Sequence, residues 1–145
     1  MKKWLTLLLL IPSLSWGEVK DVNLICSNKY QFDVDVHTVY LSIQFKNEKA
    51  LLHEAATYSD YQKAAFVGNF SYSEAPSIIK INYTGSSVYS LNRKTLKLSY
   101  RFWDNGEIIG ESEYSCSIND KGRNLEVIED LATKAKNKLE EGNLL

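Results

Sequence analysis

The chain has 145 residues with 17 basic and 18 acidic side chains, and its formal net charge is −1. The lysines are scattered along the sequence, so it lacks the basic face that binding to nucleic acid or to an anionic membrane requires. Both classes of partner are therefore excluded. The length suits a single domain.

Residues 1–17 have the pattern of a secretory signal peptide. Two lysines precede an apolar run that is too short to span a bilayer, and the small residues Ser15 and Gly17 precede a cut before Glu18. After cleavage no membrane span would remain. The sequence therefore predicts a periplasmic or secreted protein.

The remaining chain holds two cysteines, Cys26 near its start and Cys116 near the end of the last predicted strand. An exported chain meets oxidising conditions, so we expect the two to form a disulfide. A bridge over so long a loop would stabilise the fold by about 4 to 5 kcal/mol in the chain-entropy model.

Short stretches of alternating apolar and polar residues between the cysteines predict a succession of β-strands. The alternation changes phase between Val36 and Val39, which predicts a turn around 35–38. Further strands are predicted at about 50–58, 64–72, 77–84 and 87–92. About eight antiparallel strands must close or stack to bury their inner faces, so residues 18–120 are expected to form a mainly β domain, either a small barrel or a sandwich.

The most regular patterning is "LNRKTLKLSYRFWDNGEIIGESEYSCSI", residues 91–118. Alternate residues of 96–102 are large and apolar, and Asp104-Asn105-Gly106 is a hairpin signal. We predict a three-residue loop with Gly106 in the left-handed region as a bulge, which turns the glutamates of the second strand toward water. The predicted cross-strand pairs are Phe102 with Ile108, Tyr100 with Gly110, Leu98 with Ser112 and Leu96 with Tyr114.

After Ile118 the apolar period becomes helical, and residues 121–142 are predicted to form a C-terminal amphipathic helix. Asn124 is the expected N-cap and Gly142 the expected stop. The apolar stripe consists of Leu125, Ile128, Leu131, Ala132, Ala135 and Leu139. The stripe could lie across an open end of the β domain or dock on a partner, and we expect it to pack on its own domain.

Few residues suggest catalysis or metal binding. Asp33, Asp35 and His37 stand two apart and could share a strand face around a cation, but the predicted turn interrupts them, and we interpret them as solvated. His53 lies beside Glu54, yet no serine or cysteine has the setting of a nucleophile. We therefore predict a protein that is not an enzyme, with no metal and no cofactor.

Trp103 is the single tryptophan after the predicted cleavage site, and its position in the alternation places it on the outward face with Arg101, beside the hairpin turn. Exposed tryptophan and arginine are the residue types that anchor protein interfaces. Alternatively, Trp103 could fold under the C-terminal helix or over the mouth of a barrel. We take Trp103 and Arg101 as candidate interaction residues.

The segments "LICS", "YQFDVDVHTVYLS", "SLNRKTLKLSYRF" and "YSCSI" resemble a loose group of short exported bacterial all-β proteins with an N-R-x-T-L-x-L hairpin and a late cysteine. These motifs are strand and turn chemistry, so the resemblance implies a fold and no activity. The segment "EAATYSDYQKAAF" is similar to the S-G-x-x-Y motif of periplasmic inhibitors of c-type lysozyme, which are small eight-stranded barrels. It keeps Tyr58, and the preceding residues, which include Ala55 and Ala56, contain neither the serine nor the glycine of the motif. This similarity implies that Tyr58 would enter the cleft of the enzyme.

The first functional hypothesis is a non-catalytic exported or periplasmic binding module that meets a protein or glycan through its loops and Trp103. The alternatives are a calycin-like carrier of a small apolar ligand, then a lysozyme-inhibitor-like protein, and last a hydrolase. The binding module and the carrier differ in the interior of the β domain, which is either filled by inward side chains or left with a cavity of ligand size. The inward positions to inspect include Leu98, Tyr100, Tyr114 and Phe32.

Overall fold

A computed structural model describes residues 18–32, 35–57 and 64–143 of the chain. It forms a closed antiparallel barrel in which each strand pairs with its sequence neighbours and the last strand pairs with the first. The strands are β1 (Asn23–Phe32), β2 (Asp35–Lys46), β3 (Lys49–Ala56), β4 (Ala65–Glu74), β5 (Ile78–Thr84), β6 (Ser87–Asn92), β7 (Lys97–Asp104) and β8 (Glu107–Ile118). One helix, α1 (Asn124–Asn143), follows them. The predicted mainly β fold with a C-terminal helix is confirmed, and the strands close as a barrel rather than a sandwich.

The turn predicted around 35–38 is wrong, because these residues belong to β2 and pair with the end of β1. Strand β2 is covered on both faces, on one by the barrel interior and on the other by α1. A strand covered on both faces carries apolar residues at both parities, such as the outward Tyr40 beside the inward Leu41. The change of phase itself follows from the register, because Phe32 pairs with Asp35 and the inward residues are therefore even-numbered on β1 and odd-numbered on β2.

We call the end of the barrel where β7 turns into β8 the upper end, and the opposite end the lower end. The lower half of the interior is filled by fully buried side chains, and each stabilises the fold by roughly 1.5 to 3 kcal/mol. They include Leu24, Ile43, Phe45, Leu52, Ile79, Leu91 and Leu98. Residues 18–22 cross this lower end, where the Asp21 amide donates to the carbonyl oxygen of Phe45 at 2.7 Å and Val19 is buried. The lower end is thus closed by the chain's own apolar residues.

The predicted disulfide is present between Cys26 and Cys116. The two residues lie directly opposite each other on β1 and β8. The bridge therefore joins the first strand to the last, at the seam where the barrel closes.

Helix α1 packs against the outer face of β1, β2 and β3. Ile128 and Ala132 are fully buried there against Ile25 and Ala55. The apolar stripe packs on its own domain, as expected, but on the barrel wall rather than across an end. Leu125, which was assigned to the stripe, is exposed.

The helix begins three residues after the predicted start at 121 and ends one residue after the predicted end at 142, since it spans Asn124–Asn143. The carbonyl of Arg123 accepts the first helical hydrogen bond, from the Val127 amide at 3.1 Å. Asn124 is instead buried, and its Oδ1 accepts a hydrogen bond of 2.7 Å from Nδ2 of Asn119. Its side chain therefore fixes the start of the helix against the barrel rather than capping it.

Candidate functional site

The turn between β7 and β8 has two residues, Asn105 and Gly106, with φ angles of 50° and 78°. Positive φ at both positions is the signature of a type I′ turn, which matches the twist of a hairpin. The predicted left-handed Gly106 is confirmed. The three-residue loop is wrong, because Asp104 pairs directly with Glu107.

The extra residue of this hairpin lies in β8 instead of the turn. Trp103 pairs with Ile108 and Phe102 pairs with Gly110, so Ile109 has no residue opposite it and forms a bulge. Beyond the bulge the pairing is displaced by two residues from the predicted register. Beyond the bulge, a displacement of two keeps the side chains on their predicted faces, with Leu98 and Tyr114 inward and Glu111 and Glu113 outward. The prediction for Ile108 is wrong, because Ile108 pairs with the outward Trp103 instead of the inward Phe102.

Replacing Gly106 by valine should lower the free energy of unfolding by about 1 to 2 kcal/mol, because a β-branched residue is strained at positive φ. A Cβ at this position would meet no atom within 4 Å, so the loss reports the backbone alone. Gly85, in the neighbouring turn, is the matched control: it is equally uncrowded and lies outside the left-handed region, so Gly85→Val should be close to neutral. Equal thermal melts of the two variants would contradict the assigned turn.

Four residues at this hairpin form an apolar surface that we call the tip patch: Phe102, Trp103, Ile108 and Ile109. Phe102, Ile108 and Ile109 are exposed by 36%, 54% and 56%, and Trp103 is half-buried. The ring of Phe102 lies so close over Gly110 that no side chain would fit there, whereas the sequence predicted Tyr100 at this place. Trp103 could be identified from the sequence, whereas the two isoleucines were missed. The available signal was "EIIG" after the turn, since neighbouring strand residues cannot both face inward.

Trp103 and Arg101 lie on β7, on the wall of the barrel that α1 does not cover. The Trp103 amide donates a hydrogen bond of 2.8 Å to the Ser86 carbonyl of the adjacent turn. Arg101 Nε donates to Glu111 Oε1 at 3.1 Å, across the hairpin, with both side chains about half exposed. An exposed pair of this kind contributes at most about 1 kcal/mol, so it orients the arginine beside the tip patch more than it stabilises the barrel. Trp103 and Arg101 thus share one face of β7, two residues apart, and Tyr58 lies outside the described residues.

Aromatic rings line the upper half of the barrel interior. Tyr89 and Tyr100 are 4.7 Å apart between ring centroids, Tyr83 touches both rings, and Phe70 and Phe102 extend the series at its two ends. Of the inward positions named above, Leu98, Tyr100 and Tyr114 all pack in the core, while the side chain of Phe32 lies outside the described residues. Aromatic rings packed edge-on or at a tilt therefore occupy much of the interior that a carrier would keep open.

The stability of the protein should fall at alkaline pH because of Tyr89. Burial, with smaller effects from Tyr114, Tyr100, Tyr83 and Glu54, raises the pKa of Tyr89 far above its ordinary value of about 10. Below pH 10 the hydroxyl is neutral in both states, and this contribution to stability is complete. Above pH 10 the unfolded chain ionises first, so the free energy of unfolding falls by up to about 1.4 kcal/mol per pH unit. Urea denaturation between pH 9 and 12 should show a shallower fall in Tyr89→Phe, and identical slopes would contradict the argument.

The pairing between neighbouring strands is uneven around the barrel. Strands β1 and β2 pair over the whole length of β1, and β7 pairs with β8 from the turn down to Ser115. In contrast, β4 pairs with β5 only over 72–74 against 79–81, and β1 pairs with β8 only over 24–27 against 115–118. Both short ladders lie at the lower end. The barrel thus consists of two four-stranded halves that are joined firmly at the lower end and more loosely at the upper end.

The lower end of the barrel carries an open cleft of about 890 Å³. It is lined by Glu18, Lys20, Asn47, Glu48, Tyr72 and Glu74. Partial burial and the neighbouring carboxylates, Glu74 first among them, raise the pKa of Tyr72. Glu74 is engaged within the fold, because its Oε1 accepts a hydrogen bond of 3.0 Å from the Val19 amide. Such a polar, open lining differs from the apolar, enclosed lining of most small-molecule sites.

Among the described residues, the remaining candidates do not come together as a reactive site. Asp33 lies outside the described residues, and within those that are described no group of three or more histidine, cysteine or acidic residues could hold a metal. Burial lowers the pKa of His53, whose ring contacts Phe66. Its partner across the strands is Ser42, which has no exposed surface and so cannot reach a substrate.

In the described part of the chain, no helix combines the length and the apolar character that a bilayer span needs. No family model matches the sequence, and no curated protein and no solved structure is significantly similar to it.

Proposed function

We propose that this protein is a non-catalytic, exported binding module that contacts a protein partner through the tip patch. The observation that carries the proposal is that the adjacent residues Ile108 and Ile109 are both exposed, with the exposed Phe102 on the paired strand of the same hairpin. Single exposed apolar residues are ordinary on a protein surface, whereas contiguous ones mark interaction sites.

The chemistry of the tip patch favours a protein partner over a glycan. Sugars stack on flat aromatic faces, while the most exposed members of the patch, Ile108 and Ile109, are aliphatic. A central apolar surface beside an arginine is typical of protein interfaces, and Arg101 lies one residue from the patch.

Two further observations support an exported binding module. The Cys26–Cys116 disulfide suits an oxidising compartment. The packed aromatic rings of the upper interior favour recognition by the outer surface over the carriage of a ligand inside the barrel.

Photo-crosslinking in the exporting cell tests the proposal. A photoreactive residue at Ile109 should give a discrete crosslinked protein, whereas the same residue at Leu125, which is 40% exposed on α1, should not. The double variant Ile108→Ser/Ile109→Ser should weaken binding of that protein at least tenfold, because truncation of a central interface residue typically costs more than about 1 kcal/mol. Crosslinks of equal yield from both positions, or from neither, would refute this use of the tip patch.

A further inference from the structure

Strand β8 has one edge that carries no paired strand along its upper part. Its residues pair with β7 from Glu107 to Ser115, but with β1 only from Ser115 to Ile118. Among the described strands, none is paired with the other edge of residues 107–113. Alternate residues of a strand direct their N–H and C=O groups to each edge, so this segment offers backbone donors and acceptors to an added strand.

The shape of β8 at this point suits an open edge. A bulge bends a strand and increases its twist, and the register shift at Ile109 places one in the upper part of β8. The facing part of β1, residues 28–32, pairs with β2 alone. A further extended segment could therefore add to β8 without breaking a ladder that the fold already uses.

The charges beside this edge are mostly negative. Glu107, Glu111 and Glu113 are exposed on β8, and Asp104 is exposed opposite Glu107. Arg101 is paired with Glu111. The nearest outward cation on β1 is Lys29. Continued pairing of β1 with β8 would bring Lys29 opposite Glu113, but that pairing ends at Ser27.

These charges argue against a second copy of the chain as the occupant. Antiparallel pairing of two β8 edges would place glutamates of one copy near glutamates of the other, and like charges on paired strands are destabilising. A strand with basic side chains would instead meet the glutamates favourably.

We infer that the upper edge of β8 binds an extended peptide segment of the partner, by strand addition, and that this segment alternates basic with apolar residues. Backbone hydrogen bonds along residues 107–113 hold the segment, and Glu111 and Glu113 select its basic side chains. The inference rests on the proposed function, since it specifies how the partner of the tip patch is recognised. Ile108 and Ile109 lie at the upper end of the same edge, where they cover apolar side chains of the segment.

Amide hydrogen exchange measured by NMR on the disulfide-bonded protein tests the edge itself. In the free protein, amides within 107–113 that point away from β7 should exchange at least 100-fold faster than amides in the middle of β7. Uniformly slow exchange along 107–113 would overturn the inference, because the edge would already be covered.

Binding is then tested with a blocked peptide of four Lys-Val repeats as the probe. It should slow exchange of the same amides at least tenfold, and a peptide of equal charge with proline in place of valine should not, because proline lacks the N–H that a ladder requires. Glu113→Lys should weaken binding of the probe at least tenfold, while Glu140→Lys, at an exposed position on α1, should leave it unchanged. Equal protection by both peptides would mean attraction by charge alone and would overturn strand addition.

The two proposals fail separately. A crosslinked partner at Ile109 without protection of β8 by the probe would remove strand addition and leave the binding module standing. Protection by the probe without a crosslinked partner would remove the proposed function and leave the edge as a site for extended basic peptides.

Discussion

Replacing Cys26 and Cys116 together by alanine should lower the free energy of unfolding by about 4 to 5 kcal/mol. The bridge joins residues 90 apart in sequence, and in the chain-entropy model the loss of so long a closed loop from the unfolded state has this size. It also crosses the short ladder of 24–27 with 115–118, so few backbone hydrogen bonds compensate for its removal at the closing seam. Urea denaturation of the two proteins measures the difference.

Reduction of the unaltered protein is the control for this prediction, because it breaks the bridge and keeps both side chains. Reduction and the double substitution should lower stability by similar amounts, since both open the same loop. A loss below about 1 kcal/mol in both cases would mean that the seam holds without the bridge. A large loss in the variant alone would assign the effect to the packing of Cys26, which has no exposed surface.

The strands and their faces could be predicted because alternation is a direct consequence of backbone geometry. The pairing of β7 with β8 could not. The observed hairpin has a two-residue turn followed by one bulge, whereas the predicted hairpin had a three-residue loop and no further bulge. The two differ by two residues in the register of β7 with β8, and both place Leu98 and Tyr114 inward. Patterning reports parity only, so it could not place the bulge at Ile109, and the two adjacent isoleucines indicated only that one of them must face outward.

Neither the position of α1 nor the closure of the barrel could be predicted from the sequence, for a related reason. An amphipathic stripe requires cover but does not say which surface supplies it. Here the outer faces of β1, β2 and β3 supply it, where Ile25 and Ala55 are outward apolar residues that sequence reasoning had not assigned. A disulfide between the first and last strands brings these strands together, which a sandwich also allows. The pairing of β4 with β5 and of β8 with β1 is confined to the lower end, and we recognise no sequence signal for this.

Replacing Phe45 by alanine should lower the free energy of unfolding by about 3 to 5 kcal/mol, the usual range for a buried phenylalanine. Phe45 is 1% exposed, contacts the Tyr72 ring at 4.9 Å and lies beneath the segment that closes the lower end. Phe66 is the matched control, since it is the same residue type at 62% exposure, and Phe66→Ala should cost less than about 1 kcal/mol.

Urea denaturation of the two phenylalanine variants therefore compares the lower core with the upper surface. A large difference would mean that the aliphatic lower half supplies most of the stability. The upper end could then keep unpaired strand edges and exposed apolar residues without unfolding, as a binding surface requires. Equal losses would mean that Phe66 also belongs to the core, and the separation between a stabilising end and a binding end would be wrong.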